Sequence, residues 1–352
     1  MTDQTPLPRP GRPPVTDIRL VDSTLRDGSH AVRHNFTVEQ VRDVVSALDA
    51  AGVPVIEVTH GDGMGGSSFN YGFSHTSDTD LLKVAVETAV NADIAVLFVP
   101  GIGVKDDLRQ ASDLGVSMAR IATHCTEADI SEQHIALTKE LGMEAVGFLM
   151  MAHMTTPEAL AEQASMMADF GADAVYVVDS AGAMTTDDFK QRVAAVKRLV
   201  DIDVGVHAHN NLSLAVANSL AAHQEGATWI DGCTTGLGAG AGNCPTEILV
   251  ATCDKTGIAT GVDTFAMMDA AQDTVRPIRP DMGVIDRDGL MLGYAGVYGS
   301  FLLHAKTASQ RYGVPTTDIL LELGRRGMVG GQEDMIIDVA LSLRDGRAGA
   351  DT

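Results

Sequence analysis

The chain has 352 residues, of which 45% are apolar, enough for a core much larger than a small domain needs; its 36 glycines and 4% aromatics suit many tight turns around Val, Ile, Leu and Ala packing. Its 47 acidic and 25 basic side chains leave a formal charge of −22, a field that repels phosphate backbones and anionic lipid, so no nucleic-acid and no membrane partner is expected. No apolar run approaches the roughly 18 residues of a membrane span. The four cysteines, Cys125, Cys233, Cys244 and Cys253, lack CxxC spacing, which predicts free thiols in a cytoplasmic protein.

Residues 1–16 carry five prolines and no apolar stretch of the kind a secretory signal requires; they read as a disordered lead-in. From residue 17, short β-branched runs alternate with longer amphipathic ones. Strands are expected at 18–22, 54–59, 94–99, 118–123, 144–150, 174–179, 203–209 and 228–233. Helices are expected between them at 37–51, 78–92, 105–115, 131–142, 156–171, 186–200, 211–225 and 245–257. Thr37, Asp78 and the Thr156–Pro157 pair stand where helices start, and Gly52, Gly115, Gly142, Gly171 and Gly226 stand where they end.

Eight such units with continuously apolar strands indicate an α/β fold, a (β/α)8 TIM barrel over 17–262. A doubly wound open sheet is the alternative, and no GxGxxG follows the first strand to support it. Beyond 262 the strand pattern stops. Helical segments at 263–275, 299–312, 315–326 and 331–343 predict a C-terminal helical extension, 263–345, docked over one end of the barrel.

Catalytic groups of such barrels sit at the strand C-termini. Strand 1 ends in DSTLRDGSH (22–30) and strand 7 in HAHNN (207–211). His207 and His209 are two apart on an extended segment, so both face the barrel interior. With Asp27 they make a mixed nitrogen–oxygen ligand set suited to Mn²⁺, Fe²⁺, Co²⁺ or Zn²⁺. The pair also admits a plainer explanation, two hydrogen-bonded core histidines. His30 lies three residues past Asp27, and its ordinary pKa of roughly 6.5 suits a general base; a surface-loop histidine is the competing view.

DSTLRDG together with HAHNNLSLAVANSLAAHQEGATWIDGCTTGLGAGAGNCPTE (207–247) resembles the pyruvate-handling barrel superfamily of isopropylmalate and homocitrate synthases, hydroxymethylglutaryl-CoA lyase and 4-hydroxy-2-oxovalerate aldolase. Claisen-type synthases usually continue RDG with Glu-Gln. This chain has Ser29-His30, then AVRHNFT, THGDGMGGSSFNYGF (59–73) and GYAGVYGSF (293–301), and so resembles the 4-hydroxy-2-oxovalerate aldolase branch from about residue 17 to 343.

That resemblance implies retro-aldol cleavage of a 4-hydroxy-2-oxo acid to pyruvate and acetaldehyde or propanal. It implies Asp27, His207 and His209 as ligands of Mn²⁺, Co²⁺ or another divalent metal, with Arg26 stabilising the enolate and His30 as base. Tyr298 would select the configuration at C4, and Ser180 would contact the substrate carboxylate. Asp27 and His207 border the substrate as well. Asn243 approaches the metal in related lyases and stays outside the ligand set here. The implied partner is an acylating aldehyde dehydrogenase docked near the extension, with Gly330 and Gly331 at the border, in aromatic, steroid or another catabolism. Val96 to Val99 are expected to line the aldehyde pocket, and His60, His124 and His153 fall near strand ends. No lysine ends strand 6 to form a Schiff base. Two alternatives remain open: a Claisen-type synthase or CoA-ester lyase on the same barrel, and a metal-binding scaffold without activity.

Overall fold

The computed structural model describes residues 16–279 and 285–350, so the proline-rich lead-in lies, Thr16 apart, outside the described residues. Eight parallel strands close in chain order: β1 (Arg19–Leu25), β2 (Val55–Val58), β3 (Asp93–Phe98), β4 (Met118–His124), β5 (Glu144–Met150), β6 (Ala174–Asp179), β7 (Asp203–Ala208) and β8 (Trp229–Gly232). β8 pairs back onto β1, which removes every sheet edge. A one-turn helix, α1 (Gly28–Ala31), follows β1 and escaped the periodicity reading. The covering helices are α2 (Val38–Ala50), α3 (Asp78–Thr88), α4 (Lys105–Leu114), α5 (Glu132–Glu140), α6 (Pro157–Asp169), α7 (Thr186–Leu199), α8 (Ala215–Gln224) and α9 (Thr246–Thr256).

Alternation along the strands sorts the apolar residues into two layers. Val21, Val55, Leu97, Met118, Val146 and Tyr176 fill the barrel, while Leu20, Ile56, Val96 and Phe98 face outward into the helices. Arg19 closes the bottom, its guanidinium 4.2 Å over the Trp229 ring and 2.9 Å from both Glu144 carboxylate oxygens.

Local chemistry sets the helix starts. Thr37 and Gln40 form a reciprocal capping box, at 3.2 and 3.0 Å, the kind of cap that contributes about 1 kcal/mol. Thr156 caps α6 from the backbone N–H of Ala159. Asp78 is a correction: Ser77 caps α3, and the Asp78 carboxylate accepts from His60 N and Gly65 N, pinning the loop after β2.

After α9, α10 (Thr264–Asp269) and the turns behind it bury Met267, Ala270 and Val275 in the barrel's own core. A separate core runs from Leu292 to Ala340, enclosed by α11 (Arg287–Ala295), α12 (Phe301–Tyr312), α13 (Thr316–Arg325) and α14 (Met335–Ala350). The independent core therefore starts later than residue 263. The sequence pattern does not show α11, because Gly289 and Gly293 dilute its helical signal. Those glycines permit docking: a Cβ on Gly293 would stand 2.7 Å from Asn211 Cβ and 2.9 Å from the Gly182 carbonyl. Asn211 Nδ2 donates to the Gly289 carbonyl at 2.9 Å, so α11 lies on the loops after β6 and β7. Among the described residues no helix is long and apolar enough to cross a membrane.

Candidate active site at the barrel mouth

β1 pairs with β2 in step through Asp22↔Ile56, then slips by one residue to Leu25↔Val58. The chain turns there, with Arg26 N and Asp27 N both donating to the Ser23 carbonyl, and this turn delivers Arg26 and Asp27 to the mouth. On β7, Val204, Val206 and Ala208 face outward, so His207 and His209 project inward. Residue 205 is glycine because the Tyr176 ring occupies the place of its side chain, 2.2 Å from an ideal Cβ.

The expected ligand set assembles. Asp27 Oδ2 lies 3.8 Å from His207 Nε2 and 3.8 Å from His209 Nε2, and one ligand atom from each residue lies within 4.8 Å of the others. Ligand bonds of roughly 2.0–2.2 Å put neighbouring donors about 3–4 Å apart, so a divalent ion fits with little adjustment. His207 Nε2 is buried without a hydrogen-bond partner, a costly arrangement unless something binds there. Burial disfavours the ionised Asp27 carboxyl, but Arg26, His209 and His207 outweigh it and hold its pKa well below the ordinary carboxylate value. Burial pushes His209 down to about 3 against the pull of Asp27, so its imidazole is neutral, as a metal ligand must be.

Arg26 is both tethered and exposed to the site. Its Nε donates to Glu57 Oε2 at 2.7 Å and its Nη1 donates to Asp27 Oδ2 at 2.5 Å. Its Nη2 is buried with no partner. A cavity of about 440 Å³ takes in Arg26, Asp27, His30, Ser180, His207, His209 and Tyr298, so the expected metal, base and substrate-contact residues border one space.

His30 presses against the chain at Gly61, where a Cβ would stand 2.5 Å from its Nε2, and its Nδ1 is 3.9 Å from Asp62 Oδ2. Ser180 Oγ accepts from Met151 N at 3.1 Å, leaving its own proton free to donate. Tyr298 comes from the connection between α11 and α12; its hydroxyl faces Met150 Sδ at 3.8 Å and burial raises its pKa, so the phenol keeps its proton. Asn243 Nδ2 donates to Cys233 Sγ at 3.0 Å, and its Oδ1 is buried and unpartnered beside His209.

Some expectations need correction. Of Val96 to Val99, only Leu97 and Val99 line the cavity, because Val96 and Phe98 point into the outer layer. Among the three other strand-end histidines, His124 lines it. His60 stacks on His34 with ring centres 3.7 Å apart, and His153 Nε2 meets the Gly296 carbonyl at 3.2 Å. Sequence reading also passed over Glu57, Arg120 and Asp231, all fully buried inside the barrel. The signal was there: a charged residue within each of the apolar runs VIEV, MARIAT and TWIDGC.

Fold and site together define a closed (β/α)8 barrel whose mouth offers three ligands to a divalent cation beside an unpaired arginine nitrogen. The HMGL-like family model matches residues 17–274, and the DmpG-like communication domain model matches 283–345. The 4-hydroxy-2-oxovalerate aldolase of Thermomicrobium roseum is 59% identical over 329 residues, 94% of this chain and 92% of that one. 4-Hydroxy-2-oxovalerate aldolase 4 of Rhodococcus jostii is 60% identical over 337 residues, covering 95% and 96%. The carboxyl transferase domain of Rhizobium etli pyruvate carboxylase shares the fold at a TM-score of 0.77 and 16% identity, over 94% of this chain and 60% of that one. The chain belongs to the HMGL-like family, in its 4-hydroxy-2-oxovalerate aldolase branch of carbon–carbon lyases.

Proposed function

We propose that the chain cleaves 4-hydroxy-2-oxopentanoate or 4-hydroxy-2-oxohexanoate to pyruvate and acetaldehyde or propanal. The observation that carries this reading is the pair of buried, unpartnered nitrogens, His207 Nε2 and Arg26 Nη2, bordering the same cavity. One offers a lone pair to a metal ion, and the other is a cationic donor suited to an anionic oxygen.

Asp27, His207 and His209 would hold Mn²⁺ or Co²⁺, which when bound would supply a Lewis acid for the 2-oxo group of the substrate. His30 takes the proton of the 4-hydroxyl, the C3–C4 bond breaks, and its electron pair becomes the enolate of pyruvate while the aldehyde departs. Arg26 Nη2 donates to the oxygen on which that charge develops; held by Glu57 and Asp27, it need not reorganise as the charge appears. A proton delivered to C3, from protonated His30 directly or through water, completes pyruvate. Ser180 donates its hydroxyl proton to the substrate carboxylate, and Tyr298 closes over C4 and discriminates its configuration. Leu97, Val99 and Met150 supply the apolar wall beside the aldehyde.

The partner in this reading is an acylating aldehyde dehydrogenase that takes up the reactive aldehyde. The match of 283–345 to a communication domain supports it, as do Gly330 and Gly331, which line the same cavity from the extension. We place the reaction in the cytoplasm, in keeping with four cysteines that are all buried free thiols.

Product analysis tests the whole. Pyruvate plus aldehyde from the five- or six-carbon acid, lost on chelation and restored by Mn²⁺, is the expected result. Turnover only in the presence of an acyl-CoA would replace this reading with a Claisen-type one.

A further inference from the structure

Beneath the site lies a group of buried charges of which the proposed chemistry uses only Glu57. Arg120, on β4, is fully buried, with its guanidinium 4.5 Å from the ring centres of both Phe148 and Tyr176. Its Nη2 donates to Asp231 Oδ2 at 2.6 Å, and its Nη1 forms an ion pair with Glu57 Oε2 at 3.1 Å. Each carboxylate then reaches a different functional side chain. Asp231 Oδ2 also accepts from His207 Nδ1 at 2.8 Å, and Glu57 Oε2 accepts from Arg26 Nε at 2.7 Å.

We propose that Arg120 is the shared positioning residue of the site, suspending the metal ligand His207 through Asp231 and the enolate-binding Arg26 through Glu57. The chemistry of each branch is distinct. An ionised Asp231 can only accept, so His207 carries its proton on Nδ1 and turns a bare Nε2 toward the ligand cluster. Glu57 fixes the guanidinium of Arg26 from one edge, which leaves Nη2 directed at the cavity. Without Arg120, two carboxylates would remain in a space walled by aromatic rings with no cation between them, and each would be drawn toward its remaining partner. A side chain that merely filled the barrel would not divide its effects this way.

The inference rests on the metal-aldolase reading and is tested by binding, not turnover. Metal affinity is measured by titrating stripped protein with Mn²⁺. Oxalate, a planar dicarboxylate shaped like the pyruvate enolate, is then titrated at saturating Mn²⁺. Asp231→Asn is expected to weaken Mn²⁺ by about 10- to 100-fold and leave oxalate nearly unchanged once the metal is saturated. Glu57→Gln is expected to weaken oxalate by about tenfold with Mn²⁺ affinity held. Arg120→Met, similar in length and apolar, is expected to weaken both. Should Arg120→Met fail to fold, the two carboxylate variants still decide: loss of both affinities in each, or of neither, overturns the division into branches. Arg120→Met that folds and binds both probes as the parent does overturns the proposal outright. A parent protein that binds no Mn²⁺ would instead sink the metal-aldolase reading on which this rests.

Discussion

Asp27, His207 and His209 form one cluster of carboxylate and imidazole; His30, His34 and Asp62 form another nearby, and in each the donor atoms lie within 4.8 Å of one another. Composition and spacing do not separate the two; the use already made of the nitrogens does. In the first, His207 Nδ1 is held by Asp231 and Nε2 is left bare. In the second, His34 Nδ1 lies 3.2 Å from Ser29 Oγ, and one face of the ring stacks on His60. His34 packs against the loop after β2, and His30 is the imidazole of that cluster that lines the cavity. A cation site is recognised by donors that remain free once every other hydrogen bond is counted.

The strongest test of that contrast is metal removal. His207→Ala, or chelation of the parent, is expected to lower cleavage by about 10³-fold or more, whereas His34→Ala should bind as much Mn²⁺ as the parent. Metal analysis of the two variants side by side checks it, and loss of the ion from His34→Ala would merge the clusters. Next in size, His30→Ala should cost roughly 10²–10⁴ in kcat with metal content unchanged. Steady-state kinetics with elemental analysis decides whether His30 acts as base or as ligand.

A smaller effect is expected at Gly61. Its missing side chain leaves room for the His30 ring, so Gly61→Ala should displace the base and reduce kcat by about tenfold while Tm moves little. An unchanged kcat would mean that His30 accommodates the methyl group and that its present position is not required.

The smallest expected effect concerns pH. Burial pushes the His34 imidazole down to about 2 from an ordinary value of 6.5, with the neighbouring His30 and His60 adding to the shift. The unfolded chain therefore binds a proton that the folded one refuses, and stability present above pH 6.5 declines as pH falls toward 2. Melting curves between pH 7 and 5 should show Tm falling on acidification, and His34→Gln should flatten that slope. Parallel curves for parent and variant would remove His34 from the account.

Much of this was readable beforehand because the governing signals are local. Eight apolar runs at regular intervals give the strands, and two histidines two apart on one of them must share a face. Other features depend on partners distant in sequence. Asp78 looked like a helix cap, and only the fold shows its carboxylate occupied by His60 N and Gly65 N. Val96 and Leu97 are equally apolar, and their opposite destinations follow from the register of β3 within the closed sheet. Arg120, Glu57 and Asp231 sit on strands β4, β2 and β8, and nothing in the spacing of residues 57, 120 and 231 announces that their side chains meet.

The double anchoring of Arg26 limits the grip it can take. A free guanidinium clasps a carboxylate through two parallel N–H bonds. With Nε and Nη1 already engaged by Glu57 and Asp27, Arg26 has a single nitrogen to spare. It serves as a fixed point of charge, and in the proposed reaction clasping the acid end of the substrate would fall to other donors lining the cavity, Ser180 among them. Arg26→Lys would preserve the charge and lose its address.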